Sequence, residues 1–132
     1  MKDNSKLIHE FSKVVGKKHV YTDNLNKEPF SKGWRYGEGK ALAVIKPGIL
    51  IELWDVLKIC VKEEMIIIMQ AANTGLTGGS TPYGSGYDRP IIIINTMRID
   101  HIHLINGGNQ IIGLAGSTLY DLETKLKPAG KE

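Results

Sequence analysis

Apolar residues recur along this chain in two rhythms, and each rhythm predicts a different element. Leu7, Ile8, Phe11, Val14 and Val15 fall at i, i+1, i+4, i+7 and i+8, the spacing of one face of a short amphipathic helix. Asn4 or Ser5 stands ready to cap it, and Gly16 to stop it. A second helical face is predicted from Leu50, Leu53, Trp54, Leu57, Cys60 and Val61, with Glu52, Asp55, Lys58 and Lys62 on the other side. Three runs carry no polar residue: Ala41 to Ile45, Met65 to Met69 and Ile91 to Ile94. Such runs read as strands buried on both faces. Strand, helix and strand over residues 41 to 69 make a β-α-β unit, which demands parallel strands and a right-handed crossover. Ile102 to Ile105 and Gln110 to Leu114 flank the turn Asn106-Gly-Gly-Asn109 and predict an antiparallel hairpin that makes the sheet mixed. Ser117 or Thr118 opens a last helix bearing Leu119, Leu122 and Leu126, which Pro128 and Gly130 end. Between Lys17 and Lys40 the rhythm is lost, and Pro29, Gly33, Gly37 and Gly39 predict a connector with one helical turn. The class is therefore α+β, a parallel β-α-β core with flanking helices and an antiparallel hairpin.

Candidate chemistry concentrates in Gln70 to Pro82, where an apolar strand runs into Ala-Ala-Asn-Thr-Gly-Leu-Thr-Gly-Gly-Ser-Thr. Gly75, Gly78 and Gly79 can adopt positive φ and let another molecule approach the backbone, while Asn73, Thr74, Thr77, Ser80 and Thr81 add short polar side chains. The pattern suits a polar surface loop as well as a nest of N–H groups around an anion. It lacks the lysine of a P-loop and the spacing of a dinucleotide G-x-G-x-x-G. Length favours function: about 20 residues without periodicity separate the strands, and ligands of open α/β sheets bind beyond the carboxyl ends of the strands.

The segment Ala71 to Thr81 resembles the FAD pyrophosphate loop of the p-cresol methylhydroxylase and vanillyl-alcohol oxidase type of flavoproteins, and within them that of the quinone-dependent D-lactate dehydrogenases. The likeness continues through Tyr87-Asp88-Arg89, Thr96-Met97-Arg98-Ile99-Asp100 and Gly116-Ser117-Thr118-Leu119-Tyr120, and reaches back to Gly37-Glu38-Gly39 and Leu53-Trp54. The arginine of the superfamily's Arg-Gly-Gly-Gly-Thr version of the loop is missing here. The resemblance implies a first subdomain of a p-cresol methylhydroxylase-type FAD-binding domain over residues 37–132, preceded by a helix and connector over 1–36. It implies that Ala71, Ala72, Asn73, Thr74, Gly75, Gly79 and Ser80 touch the cofactor, mostly through backbone groups. It further implies a parent enzyme that oxidises D-lactate, reduces quinone and sits peripherally on the cytoplasmic side of the inner membrane through regions beyond this segment. On that view the 132 residues alone are inactive. The competing expectations are another FAD-linked 2-hydroxy-acid oxidoreductase, or a nucleotide- or phosphate-binding module without redox chemistry.

Composition removes other classes. With 42% hydrophobic residues in 132, the chain can bury a core. A net charge of +3 is too mild for a nucleic-acid binder, and Lys32, Trp34, Arg35 and Tyr36 are too few for a stacking platform. Cys60 has no internal disulfide partner, and its place on the apolar face marks it as core filler. His101 and His103 share a strand face, but the sequence places no third metal ligand beside them. No pair of residues suggests a general base with an orienting partner, so no catalytic residue is assigned.

Overall fold

The computed structural model describes residues 4–130. α1 (Ser5–Val15) starts after Asn4 and stops at Gly16, whose φ of 84° an L side chain rarely adopts. Its Leu7, Phe11 and Val15 are buried against α3 (Leu50–Lys62), which supplies Val56 and Cys60 to the same cluster. The sheet has the order β1-β2-β4-β3. β2 (Ala43–Ile45) and β3 (Ile66–Gln70) each pair in parallel with β4 (Ile91–Asn95), so the last of this sheet's strands in chain order lies between the other two parallel ones. All five residues of β4 are buried, as its unbroken isoleucine run requires. Burial of each such side chain contributes about 1.5 to 3 kcal/mol. Ala43, Ile45, Ile92 and Ile94 face α1 and α3, while Val44, Ile91 and Ile93 face the other side, where Tyr21 and Phe30 pack.

Three expectations are corrected. The stretch from Lys17 to Lys40 is more than a connector: it holds β1 (Val20–Tyr21), antiparallel to β2, and α2 (Asn24–Ser31), two helical turns capped by the Asp23 carboxylate at 2.9 Å from the Asn26 N–H. Pro29 is tolerated inside α2 because the carbonyl it deprives belongs to Leu25, a residue 80% exposed where water can replace the bond. It is β1, not the hairpin, that makes this sheet mixed. The hairpin of β5 (Ile102–Ile105) and β6 (Gln110–Gly113) forms a sheet of its own. Finally, α3 is rotated from its predicted face: Leu53, Val56, Leu57 and Cys60 turn inward while Leu50, Trp54 and Val61 are exposed. With nine of its thirteen positions apolar, α3 has apolar residues on more than one face, and periodicity does not fix its rotation.

α4 (Leu119–Leu126) begins with a reciprocal cap in which Thr118 accepts from the Asp121 N–H and Asp121 accepts from the Thr118 N–H. Ser117, the other candidate cap, donates instead to the Leu114 carbonyl.

Candidate functional site

Two adjacent apolar strands end in amides at matching register, Gln70 on β3 opposite Asn95 on β4. Each is 2% exposed. Buried amides must be bonded, and these two bond across three elements. Gln70 Nε2 donates to the Phe30 carbonyl of α2 and to the Ser80 carbonyl of the loop, both at 2.8 Å. Asn95 Nδ2 donates to Gln70 Oε1 at 3.2 Å and to the Ala71 carbonyl at 2.9 Å, and its Oδ1 accepts from the Met97 N–H. Thr96 closes the strand ends by donating its N–H to the Gln70 carbonyl at 2.8 Å.

The loop is stapled a second time at its middle. Asn73, at φ 56°, donates Nδ2 to the Lys32 carbonyl at 2.8 Å and accepts from Ser80 Oγ at 2.8 Å. Asn tolerates this left-handed backbone better than most residues. The Asn73 and Ser80 side chains are therefore engaged within the protein, while their backbone N–H groups have no protein acceptor. Gly78, at φ 75°, packs against the Tyr36–Gly37 peptide, where an added Cβ would come within 3.2 Å of Tyr36. Gly75 and Gly79, expected to use positive φ, do not. A Cβ on Gly75 would meet no atom within 4 Å, and one on Gly79 only Thr77 Oγ1 at 4.0 Å. These two glycines border open space, while Gly78 serves the internal fit.

The consequence is a row of donors. Among the described residues, no backbone N–H from Ala72 to Ser80 gives its hydrogen to a protein acceptor, although both ends of this stretch are pinned. Six of the seven residues expected at the site lie in this row, and Ala71 adjoins it. Beside the row opens a groove of about 510 Å³ lined by Lys32, Gly33, Trp34, Ala72 and Asn73 together with Glu28 and Pro29 of α2. Lys27 of α2 turns away from it, donating Nζ to the Ala41 and Leu42 carbonyls, and burial lowers its pKa. Sequence reasoning missed Asn95 and gave the Gln70 side chain no role. The available signal was a single amide ending each of two neighbouring all-apolar strands.

Elsewhere the chemistry is inert. Cys60 is fully buried, and desolvation pushes its thiol up to about 12, so the nucleophilic thiolate is suppressed. His101 and His103 stack with ring centroids 6.3 Å apart. Among the described residues no group of three potential ligands could hold a metal ion, and no helix is long and apolar enough to cross a membrane.

Comparison with solved structures defines the class first. Over 95% of its length the chain superposes on 24% of p-cresol methylhydroxylase with a TM-score of 0.73 and 18% identity. It matches alkyldihydroxyacetonephosphate synthase at 0.83 over 98% of the chain and 26% of that protein, with 16% identity. The fold is thus one that p-cresol methylhydroxylase and alkyldihydroxyacetonephosphate synthase share over about a quarter of their lengths. No family model matches the chain. In sequence, however, the chain is 53% identical over 126 residues to the quinone-dependent D-lactate dehydrogenase of Haemophilus influenzae and 51% identical over 130 residues to that of Escherichia coli. These matches take in 96% and 98% of the chain but span only 22% and 23% of the two enzymes. Over nearly its whole length, then, the chain resembles one segment of the quinone-dependent D-lactate dehydrogenases.

Proposed function

We propose that the chain is the FAD-holding segment of a respiratory D-lactate dehydrogenase that oxidises D-lactate to pyruvate and delivers the electrons to quinone. The row of free N–H groups from Ala72 to Ser80, at the carboxyl ends of the central strands, carries this reading. Pyrophosphate is a dianion, and charge-assisted hydrogen bonds from pre-aligned donors contribute about 1.5 to 3 kcal/mol each. The open space at Gly75 and Gly79 leaves the approach clear. The residues that would hold FAD are Ala71, Ala72, Asn73, Thr74, Gly75, Gly79 and Ser80, with Asn73 and Ser80 acting through their backbones. When bound, FAD supplies the two-electron acceptor for the hydride on C2 of D-lactate. The segment itself contributes binding and orientation. Substrate recognition and peripheral attachment to the cytoplasmic face of the inner membrane are assigned to regions of the full-length enzyme outside this 132-residue segment.

The test is to purify the full-length protein carrying this segment and follow reduction of a quinone analogue by D-lactate, L-lactate and D-2-hydroxyglutarate. The expected result is a flavin spectrum and turnover preferring D-lactate. A preference for D-2-hydroxyglutarate moves the assignment to another 2-hydroxy acid. A colourless protein without turnover, still binding nucleotide or phosphate, would establish the non-redox module instead.

A further inference from the structure

Resting on that reading, the geometry points to Gln70 as the positioning residue that sets the loop for its anionic ligand, a role distinct from touching the ligand. Its amide nitrogen has two hydrogens and both are used, one on Phe30 of α2 and one on Ser80 at the far end of the donor row, while its oxygen takes the Asn95 amide of β4. One side chain thereby fixes the loop's exit relative to the strand from which the loop departs. The span between Gln70 and Ser80 is a closed ring of backbone whose inner bond is this amide. Without it Ser80 keeps only its hydroxyl bond to Asn73. With one tie in place of two, the backbone from Ala72 to Ser80 is no longer held in a single arrangement of its N–H groups.

The substitution Gln70→Glu makes this role visible, because glutamate keeps the shape but changes the donors. When protonated it can give one hydrogen to Phe30 or Ser80 and still accept from Asn95. When ionised it gives none and faces two carbonyl oxygens. The groups meeting this position from α2, the loop and β4 are uncharged: the Phe30 and Ser80 carbonyls and the Asn95 amide. Of the charged side chains nearby, Lys27 is held at Ala41 and Leu42, Lys46 lies over the Tyr21 and Phe30 rings, and Glu28 is exposed, as is Lys32 just beyond the end of α2. Burial without a compensating cation raises the carboxyl pKa above its ordinary value near 4.3. Sign follows directly: in the folded variant the loop-setting bond is present while the carboxyl keeps its proton, below the raised value, and is lost as pH rises through that value.

The experiment measures FAD affinity from pH 5 to 8 in full-length wild type and Gln70→Glu, with thermal melting of each at every pH. The expected result is a variant that binds within about threefold of wild type at pH 5 and at least tenfold more weakly at pH 8. Gln70→Met, which removes the bonds without adding charge, should bind weakly at every pH and also serves if the glutamate variant does not fold. A constant deficit across pH in Gln70→Glu, or an affinity loss matched step for step by falling melting temperature, would reduce Gln70 to a fold residue and overturn the inference. Wild type that binds no FAD would instead overturn the proposed function, without reference to any variant.

Discussion

Gly75 and Gly78 stand three residues apart in one loop, yet the structure assigns them opposite costs. Gly78 holds φ 75°, where an alanine is disfavoured by about 1 to 2 kcal/mol. Its added Cβ would also lie 3.2 Å from the Tyr36 carbonyl group and 3.3 Å from Gly37 N, backbone atoms that cannot rotate away. Together these give about 2 to 3 kcal/mol for Gly78→Ala, with the excess over 1 to 2 coming from forced movement of packed backbone. At about 4 °C per kcal/mol for a chain of this size, melting should fall by about 8 to 12 °C. Gly75 has neither problem: its φ is outside the left-handed region and an added Cβ meets nothing. Gly75→Ala should leave stability unchanged or raise it by up to about 1 kcal/mol, through loss of freedom in the unfolded chain. Thermal unfolding followed by circular dichroism on the 132-residue chain separates the two. A Gly75→Ala protein that loses as much stability as Gly78→Ala would refute the loop geometry. The functional counterpart is Gly75→Val in the full-length protein, which should purify without flavin because the side chain occupies the space beside the donor row; a fully yellow, active variant would refute the loop assignment.

Cys60 should resist a thiol reagent at pH 8 in the folded chain and react as one thiol per chain once unfolded. Its folded pKa of about 12 stands above the unfolded value near 8.5, so the folded state holds its proton longer. Its contribution to stability is thus whole below pH 8.5 and lost as pH rises toward 12; a melting temperature that rises over this interval in wild type but not in Cys60→Ala would contradict that sign. FAD in the full-length protein should be held without a covalent bond, so flavin should separate from the polypeptide on denaturation; yellow protein after denaturation and gel filtration would contradict this. The 132-residue chain alone should not reduce a dye with D-lactate, since its groove and donor row leave most of a flavin in water, whereas a bound ligand of that size normally buries 70 to 90% or more of its surface. Turnover above a protein-free control would overturn this expectation.

Much of the fold was legible in its apolar runs, although the run of β3, read as buried on both faces, lies at the sheet edge and leaves Met69 exposed. The isoleucine run of β4 admits no solvent-facing position, and Gly16 after α1 and Thr118 before α4 end and cap their helices as expected, whereas Asn4 makes no side-chain bond to the start of α1. What the sequence concealed was set by contacts distant along the chain. β1 is only two residues long and exists by pairing with β2. The rotation of α3 is decided by α1, which meets Val56 and Cys60 and leaves Trp54 outside. At the site the segment was legible and the division of labour within it was not. The glycines looked equivalent, but only Gly78 abuts Tyr36 and Gly37, a relation between segments some forty residues apart. Likewise the sequence showed Asn73 only as one of several short polar side chains, and its amide is spent on the Lys32 carbonyl.

The central claim is that the Ala72 to Ser80 amides receive the cofactor's phosphates, and it is tested most directly by nitrogen-15 resonance of the labelled chain titrated with FAD into the millimolar range. The account predicts shifts of the amide signals that grow without saturating at micromolar FAD and that centre on Ala72 to Ser80, with smaller ones across Lys32 to Gly37. Shifts centred on any other surface, or none in this row at millimolar FAD, would contradict it.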